Sequence, residues 1–250
     1  MHWTLVEQVQ TDRVEVNDAE AHHLLHVLRF KAGSELVLFD GAGQVAHSVI
    51  ESVTRRSVVC RVLQRSSSVR PWGGGLTVAV SPPKGDRLRW MIEKLTELGI
   101  QRISLLRCTR TVTDPGETRL EKLRSTLAAA CKQSRQAWLP ELEPLAELRV
   151  VVDQAVACGQ TIYVAHPPAD FSPESASTGP QVQIHAGCQP EKTLSDRGRR
   201  LLLIGPEGGF TDEEIGSSIA SGAALLHWPY SILRTETAAM AFSVLLLRGC

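Results

Sequence analysis

The sequence predicts an α/β protein in two domains, a small β-rich one over residues 1–70 and a larger one over residues 71–250 built on a mainly parallel sheet. Three observations predict it. Residues 1–64 read as short strands with one helix. Arg65 to Gly75, the run Arg-Ser-Ser-Ser-Val-Arg-Pro-Trp-Gly-Gly-Gly, has the composition of a linker. From Leu76 onward apolar strands alternate with segments of helical period.

In the first domain Glu35 to Phe39 reads as a strand, followed by strands from Gln44 to Ile50 and from Ser57 to Leu63 with partial alternation. A small barrel is the expected closure. Phe39-Asp40-Gly41-Ala42-Gly43 imitates a dinucleotide-binding turn, but a third glycine is missing and a strand-like segment follows where a helix would be required. A hairpin turn is the expected structure. In the second domain Leu76 to Val80 is a short strand. Leu88, Met91, Ile92, Leu95 and Leu98 then repeat at helical spacing until Gly99 stops the helix. Arg102 to Cys108 is the next strand. A helix from Glu117 to Gln136 carries Leu120, Leu123, Leu127 and Cys131 on one face. Tyr163 to Ala165, Leu201 to Ile204 and Ala223 to Trp228 supply further strands. Residues 167–198, rich in Pro, Ser, Gly and Gln, are expected as an irregular insertion.

Composition narrows the function. Zero net charge, from 27 Lys and Arg against 27 Asp and Glu, argues against a protein that coats nucleic acid. The distribution is uneven: residues 81–138 carry 12 basic against 6 acidic side chains, and residues 139–250 carry 7 against 13. A locally basic middle permits specific phosphate contacts, although solvated helix faces would give the same count. The six cysteines are widely spaced without a CxxC, which suggests neither a disulfide framework nor a zinc ribbon and fits a reducing cytoplasm. No apolar run reaches membrane-spanning length, so no membrane partner is expected.

The most informative stretch runs from Leu201 to Ile215. Four apolar residues read as a strand buried on both faces, glycines allow a ligand close to the backbone, and Thr211 with Glu214 forms a capping box that starts a helix. Gly205-Pro206-Glu207-Gly208-Gly209 lacks the Lys-Ser/Thr of a phosphate loop and is not G-x-G-x-x-G; a tight structural turn is its plainer explanation. About twenty residues on, Ile232 to Phe242 forms a second unusual string, with Arg234 and Glu236 ahead of small residues that favour close packing. His22 and His26 could share a helix face as metal ligands do. Structural histidines, or an RNA-facing surface with Arg29, are the preferred reading, so no metal site is expected.

Leu203 to Thr211 together with Ile232 to Ala238 closely resembles the RsmE family, the 16S ribosomal RNA uridine N3-methyltransferases of the knotted SPOUT class. His22-His23, Val27-Leu28-Arg29 and Phe39-Asp40-Gly41 resemble that family's PUA-like RNA-binding β-barrel. Trp90 to Ile100 and Lys132-Gln133-Ser134 with Leu139-Pro140 resemble helices of its catalytic domain. This chain has Trp228-Pro229-Tyr230 where the family usually has Gly-Pro-Arg, and Arg135 where many relatives carry Gly.

The resemblance implies a C-terminal trefoil knot, a homodimer joined through the knotted domains, and S-adenosylmethionine held by the knot loops. The implied cofactor residues are Ile204, Gly205, Pro206, Glu207, Gly208, Gly209, Leu226, Ile232, Leu233 and Thr235. The implied reaction is methyl transfer to N3 of a specific uridine, the U1498 type, in 16S rRNA of the small ribosomal subunit. Arg234 is expected to stabilise charge on the uracil or to orient the ring, and Glu236 to orient Arg234 in preference to the alternative of receiving the N3 proton. His23, Arg29, Lys84 and Arg87 are expected to contact RNA. The rival reading is an inactive RNA-binding ribosome assembly factor of the same fold, which turnover would separate.

Overall fold

A computed structural model gives the fold and describes residues 1–70, 75–167, 181–183, 198–228 and 230–248. The chain divides into two compact units, Met1–Arg70 with Leu127–Leu139, and Pro71–Thr126 with Pro140–Cys250.

In the first unit β1 (His2–Leu5), β2 (Arg13–Asn17), β3 (Glu35–Phe39), β4 (Gln44–Val53) and β5 (Ser57–Ser67) form one sheet in the order β1-β3-β4-β5-β2. All ladders are antiparallel except β1 with β3. Alternation explains the burial: Leu36 and Leu38 of β3 face one core with Val14, Ile50 and Val58, while Val37 and Phe39 face a second with Cys131 and Ala137. The helix α1 (Asp18–His22) runs into a π-helical turn, His23–Val27, and closes the first core with Ala21 and Leu24.

Residues 127–139, expected in the second domain, pack with this unit because they continue its hydrogen bonding. Gly43 donates to the Ala137 carbonyl at 3.0 Å, Leu139 to the Gly41 carbonyl at 2.8 Å, and the Trp138 indole to the Ser68 carbonyl at 3.0 Å. Phe39 to Gly43 is a hairpin turn, in which Asp40 Oδ1 accepts from the Ala42 and Gln44 N–H groups at 2.8 and 3.0 Å. β5 outruns its expected end, since Arg65, Ser66 and Ser67 pair with Ala46, Val45 and Gln44. Ladder hydrogen bonds need no apolar side chain, which is why composition read those residues as linker.

The second unit holds a seven-stranded sheet of β6 (Leu76–Val80), β7 (Arg102–Arg107), β8 (Glu141–Glu147), β9 (Thr161–Ala165), β10 (Gln181–Gln183), β11 (Arg200–Ile204) and β12 (Ala224–His227). Their order is β10-β12-β9-β11-β6-β7-β8, parallel throughout except that β10 runs antiparallel to β12. The helices are α2 (Arg87–Glu97), α3 (Glu117–Ser134), α4 (Leu148–Ala157), α5 (Asp212–Ala220) and α6 (Thr235–Arg248). Helices α2 and α6 pack together, with α6 over β6 and β11, while α4 lies against β7, β8 and β9.

β8, α4 and β10 escape sequence pattern for identifiable reasons. β8 is an edge strand whose Pro144 is accommodated by an irregularity between Ser104 and Leu105 of its neighbour. The Val150-Val151-Val152 run disguises α4 as a strand. β10 falls inside the expected insertion of 167–198, of which residues 168–180 and 184–197 lie outside the described residues. In the run Phe242 to Leu247 at the end of α6, Phe242, Ser243 and Leu246 are buried within the chain, and Val244 is 39% exposed. Among the described residues no helix is long and apolar enough to cross a membrane, and no group of three or more His, Cys, Asp or Glu is placed to hold a metal.

Four helices end in one motif. After α2, α4 and α5 a glycine takes positive φ (Gly99 at 80°, Gly159 at 64°, Gly222 at 89°), and the next N–H reaches back to the carbonyl five residues earlier. After α3 the same place is held by exposed Arg135 at φ 57°, with Gln136 N–H on the Cys131 carbonyl at 3.0 Å. A side chain in the left-handed region costs about 1–2 kcal/mol, partly offset by glycine's greater freedom when unfolded. Arg135→Gly is therefore expected to raise stability by about 0.5–1 kcal/mol in denaturant unfolding; unchanged or lower stability would show that the arginine side chain compensates its backbone.

Candidate active site

The site is built from two loops that follow β11 and β12. β11 lies between β6 and β9 with all five residues buried, and the Ile204 carbonyl accepts the Ser81 N–H at 3.0 Å. The chain then turns through Gly205 to Phe210. Each glycine there has an intramolecular reason. A Cβ on Gly205 would stand 3.0 Å from the Phe210 ring, which is itself buried in the core, and one on Gly208 would stand 3.3 Å from Arg110 Cδ. A Cβ on Gly209 would meet nothing within 4 Å, but its φ of 72° disfavours any side chain.

α5 begins with the predicted capping box: the Glu214 N–H donates to Thr211 Oγ1 at 3.2 Å, and the Thr211 N–H to Glu214 Oε2 at 2.8 Å. The other carboxylate oxygen accepts the Thr109 N–H and hydroxyl at 2.7 and 2.9 Å. Burial pushes the Glu214 carboxyl up, but these donors from Thr109 and Thr211 outweigh it and hold the group below the ordinary carboxylate value. The same carboxylate thus ties the segment after β7 to the start of α5. Next to it Arg110 donates to the Gly208 carbonyl at 2.6 Å.

The second loop runs from Trp228 to Arg234 and enters α6. Its link to the first loop is direct, since Thr235 Oγ1 donates to the Gly205 carbonyl at 3.3 Å. Between them opens a cleft of about 570 Å³, whose third wall is Ala165, His166 and Pro167 after β9. His166 is fixed through its backbone, its N–H on the Leu226 carbonyl at 3.1 Å and its carbonyl 2.6 Å from His227 Nδ1. Burial, then neighbouring His227, lowers the His166 pKa against the pull of Asp212.

Of the residues singled out in sequence, Ile204 through Gly209, Ile232, Leu233, Arg234 and Thr235 all line this cleft, and Arg234 is exposed. Leu226 does not. It is buried in β12 opposite Ala165 and serves the cleft only by holding His166. Glu236 is not on the lining either. Thr235, Ala238 and Phe242 form the cleft face of α6, and Glu236, Ala239 and Ser243 form another, buried face. Glu236 instead lies 3.9 Å from Arg87, with no hydrogen-bond partner for Oε2 among the described residues.

Arg87, expected on RNA, is engaged by Glu207 at 2.9 Å as well as by Glu236, so it joins α2 to both loops. Lys84 is exposed ahead of α2. His23 and Arg29 belong to the first unit, where Arg29 is exposed at φ 57°. Sequence reading missed Arg110, His166, Asp212 and Trp228, which also line the cleft. The position of Arg110 and His166 just past strand ends was the available signal.

A larger hollow of about 790 Å³ lies among Arg107, Glu147, Arg149, Asp153 and Ser217. Most of its charges are already paired: Arg107 with Asp114 and Glu147, Arg149 with Asp153, and Glu214 with Thr109 and Thr211. Burial pushes its Cys108 thiol up to about 12, which removes a nucleophile. The smaller cleft is the better functional candidate, because it gathers loops from the carboxyl ends of three parallel strands.

Comparison with known proteins agrees with this geometry. Residues 72–247 match the family model for an RNA methyltransferase domain, and residues 16–63 the model for an RNA methyltransferase PUA domain. The chain is 31% identical to ribosomal RNA small subunit methyltransferase E of Mycobacterium bovis over 231 residues, covering 90% of this chain and 82% of the relative. Among solved structures it resembles a protein from Porphyromonas gingivalis described as a probable rRNA-methyltransferase, with TM-score 0.81, 28% identity and 99% of each chain covered. It also resembles a protein from Legionella pneumophila, described as a methyltransferase in complex with bound SAM, with TM-score 0.77, 26% identity and coverage of 98% and 95%.

Glu214→Ala is expected to lower stability by about 1–2 kcal/mol at pH 7, the range for a lost helix cap. The carboxyl is depressed in the folded state, so its contribution is present above its ordinary value of 4.5 and lost as pH falls through the folded value. Denaturant unfolding at pH 7 and pH 3 should show a gap that closes on acidification. An equal gap at both would assign the effect to packing.

Proposed function

The chain belongs to the family of RNA methyltransferases named ribosomal RNA small subunit methyltransferase E, and on that premise we propose that it methylates N3 of a specific uridine, the U1498 type, in 16S rRNA. It is an S-adenosylmethionine-dependent methyltransferase. The observation that carries the reading is the meeting of Gly205–Gly209 and Ser231–Thr235, about thirty residues apart in sequence, in one cleft with Arg234 exposed in it.

The cleft suits the cofactor's chemistry. Its volume is that of a small-molecule site. Ile204, Leu233, Ala238 and Phe242 offer an apolar bed for adenosine, while Arg110 and Asp212, of opposite charge, match the carboxylate and ammonium of the methionine part. When bound, the cofactor supplies an electrophilic methyl on a sulfonium. The protein's work is then mainly alignment of uridine N3 with that methyl for in-line displacement.

Uridine N3 carries a proton at neutral pH. The Arg234 guanidinium, exposed to solvent, favours the deprotonated ring by placing positive charge beside it; the N3 proton passes to water, and the cofactor would leave as the neutral thioether once its methyl is transferred. Glu236 acts at a distance, holding Arg87 and through it Glu207 of the glycine loop. Residues 1–70, with the 127–139 segment that joins them, form the PUA-like RNA-binding part, and the remainder of residues 71–250 the SPOUT catalytic part with its C-terminal knot. His23, Arg29 and Lys84 contact phosphates, which position RNA without reading sequence. The family resemblance supports a homodimer, which a scattering mass of twice 27.3 kDa would establish. Ribosomal subunits as substrate place the enzyme in the cytoplasm.

Incubation of small subunits with labelled cofactor, followed by nucleoside analysis, should yield N3-methyluridine in 16S rRNA. Label on a ribose oxygen, or none, would refute the assignment and the latter would favour an assembly factor. Arg234→Ala should lower the rate by about 10²- to 10³-fold. It should also move the rate–pH profile to higher pH, because without the cation N3 loses its proton less readily. An unshifted profile would leave Arg234 a binding role only.

A further inference from the structure

Three aromatic rings lead out of the cleft. Phe242, 3% exposed, lines its wall. The half-buried Trp228 ring meets it edge to face, with centroids 6.4 Å apart and planes at 90°. Tyr230 in turn meets Trp228 at 5.6 Å and 75°. The inner end of the row is fixed in the core and the outer end is in solvent, for Tyr230 is 53% exposed and neighbouring Ile232 is 71% exposed. Ring contacts of this kind hold orientation without covering the outer face.

From this arrangement we propose that Tyr230, propped by Trp228, is the stacking surface for the target uracil. The inference rests on the methyltransferase reading and adds the residue that grips the base. Its chemistry follows from what methylation at N3 leaves free. A base inside structured RNA must leave its stack to reach the cofactor. N3 lies on the pairing edge, which must face the methyl group, and the developing charge on that edge is met by Arg234. The flat faces of the ring remain for binding. An exposed aromatic ring beside the cleft, on the loop that carries Arg234, supplies a surface for one of them without recognising an edge. Tyr230 therefore touches substrate, and Trp228 is a positioning residue that sets the angle of the ring.

Stacking and phosphate contacts respond differently to salt, which makes the proposal testable. Tyr230→Ala, Tyr230→Phe and Trp228→Ala would be compared with wild type for kcat/KM on small subunits at two ionic strengths, and for S-adenosylmethionine affinity by calorimetry. Tyr230→Ala is expected to lose about 10- to 100-fold in kcat/KM by the same factor at both salts, with cofactor affinity unchanged and activity restored in Tyr230→Phe. Trp228→Ala should lose part of that factor. Wild-type kcat/KM in Tyr230→Ala would overturn the proposal. So would an equal loss of cofactor affinity, which would give the ring to adenosine, or failure of Tyr230→Phe, which would give the role to the hydroxyl. A wild type that methylates no small subunits would remove the function itself and this inference with it, a result distinct from an active wild type matched by its variant.

Discussion

The placement of β11 at the middle of the second sheet is the constraint on which the site depends. Ladders on both sides, to β6 and to β9, fix its register, and complete burial of Leu201, Leu202, Leu203 and Ile204 prevents it from slipping. Burying each such side chain stabilises by about 1.5–3 kcal/mol. The hydrogen bond from Thr235 to the Gly205 carbonyl contributes about 0.5–1.5 kcal/mol. The sheet, then, brings the two loops together, and the hydrogen bond sets their final spacing.

The glycines of the first loop serve the protein before they serve a ligand. Gly205 makes room for Phe210, Gly208 for the stem of Arg110, and Gly209 for a left-handed turn. Their joint effect is a short backbone segment with little side-chain cover, anchored at both ends by buried groups. Arg87 adds orientation rather than much stability to the glycine loop, since its contact with Glu207 is partly solvated and exposed ion pairs contribute about 0–1 kcal/mol. That weakness suits the proposed role of the loop in admitting a cofactor.

Much of this was legible in the sequence where one physical signal dominated. Leu76–Val80 and Glu35–Phe39 were read with correct bounds because turn residues flank apolar runs, and Thr211 with Glu214 marked the start of α5 by cap chemistry alone. Where two signals compete, the reading fails: the valines of α4 favour a strand while its position between β8 and β9 favours a helix, and tertiary packing decides. Site residues divide in the same way. The lining role of Ile204 through Gly209 is local and could be read from the string. The partner of Glu236 could not, because Arg87 lies about 150 residues earlier and only the packing of α2 on α6 brings them together. Arg110 and His166 carry only a weak sequence signal, their places just past strand ends, and gain significance where packing sets them beside the glycine loop.

The central claim is that the cleft between the two loops, and not the larger hollow beside α4 and α5, holds the cofactor. Amide hydrogen exchange with and without S-adenosylmethionine tests it most directly. The account predicts slowed exchange in residues 205–211, 231–238 and 165–167 together, with little change across 148–153 and 217–221. Protection confined to the latter segments, or to only one of the two loops, would contradict it.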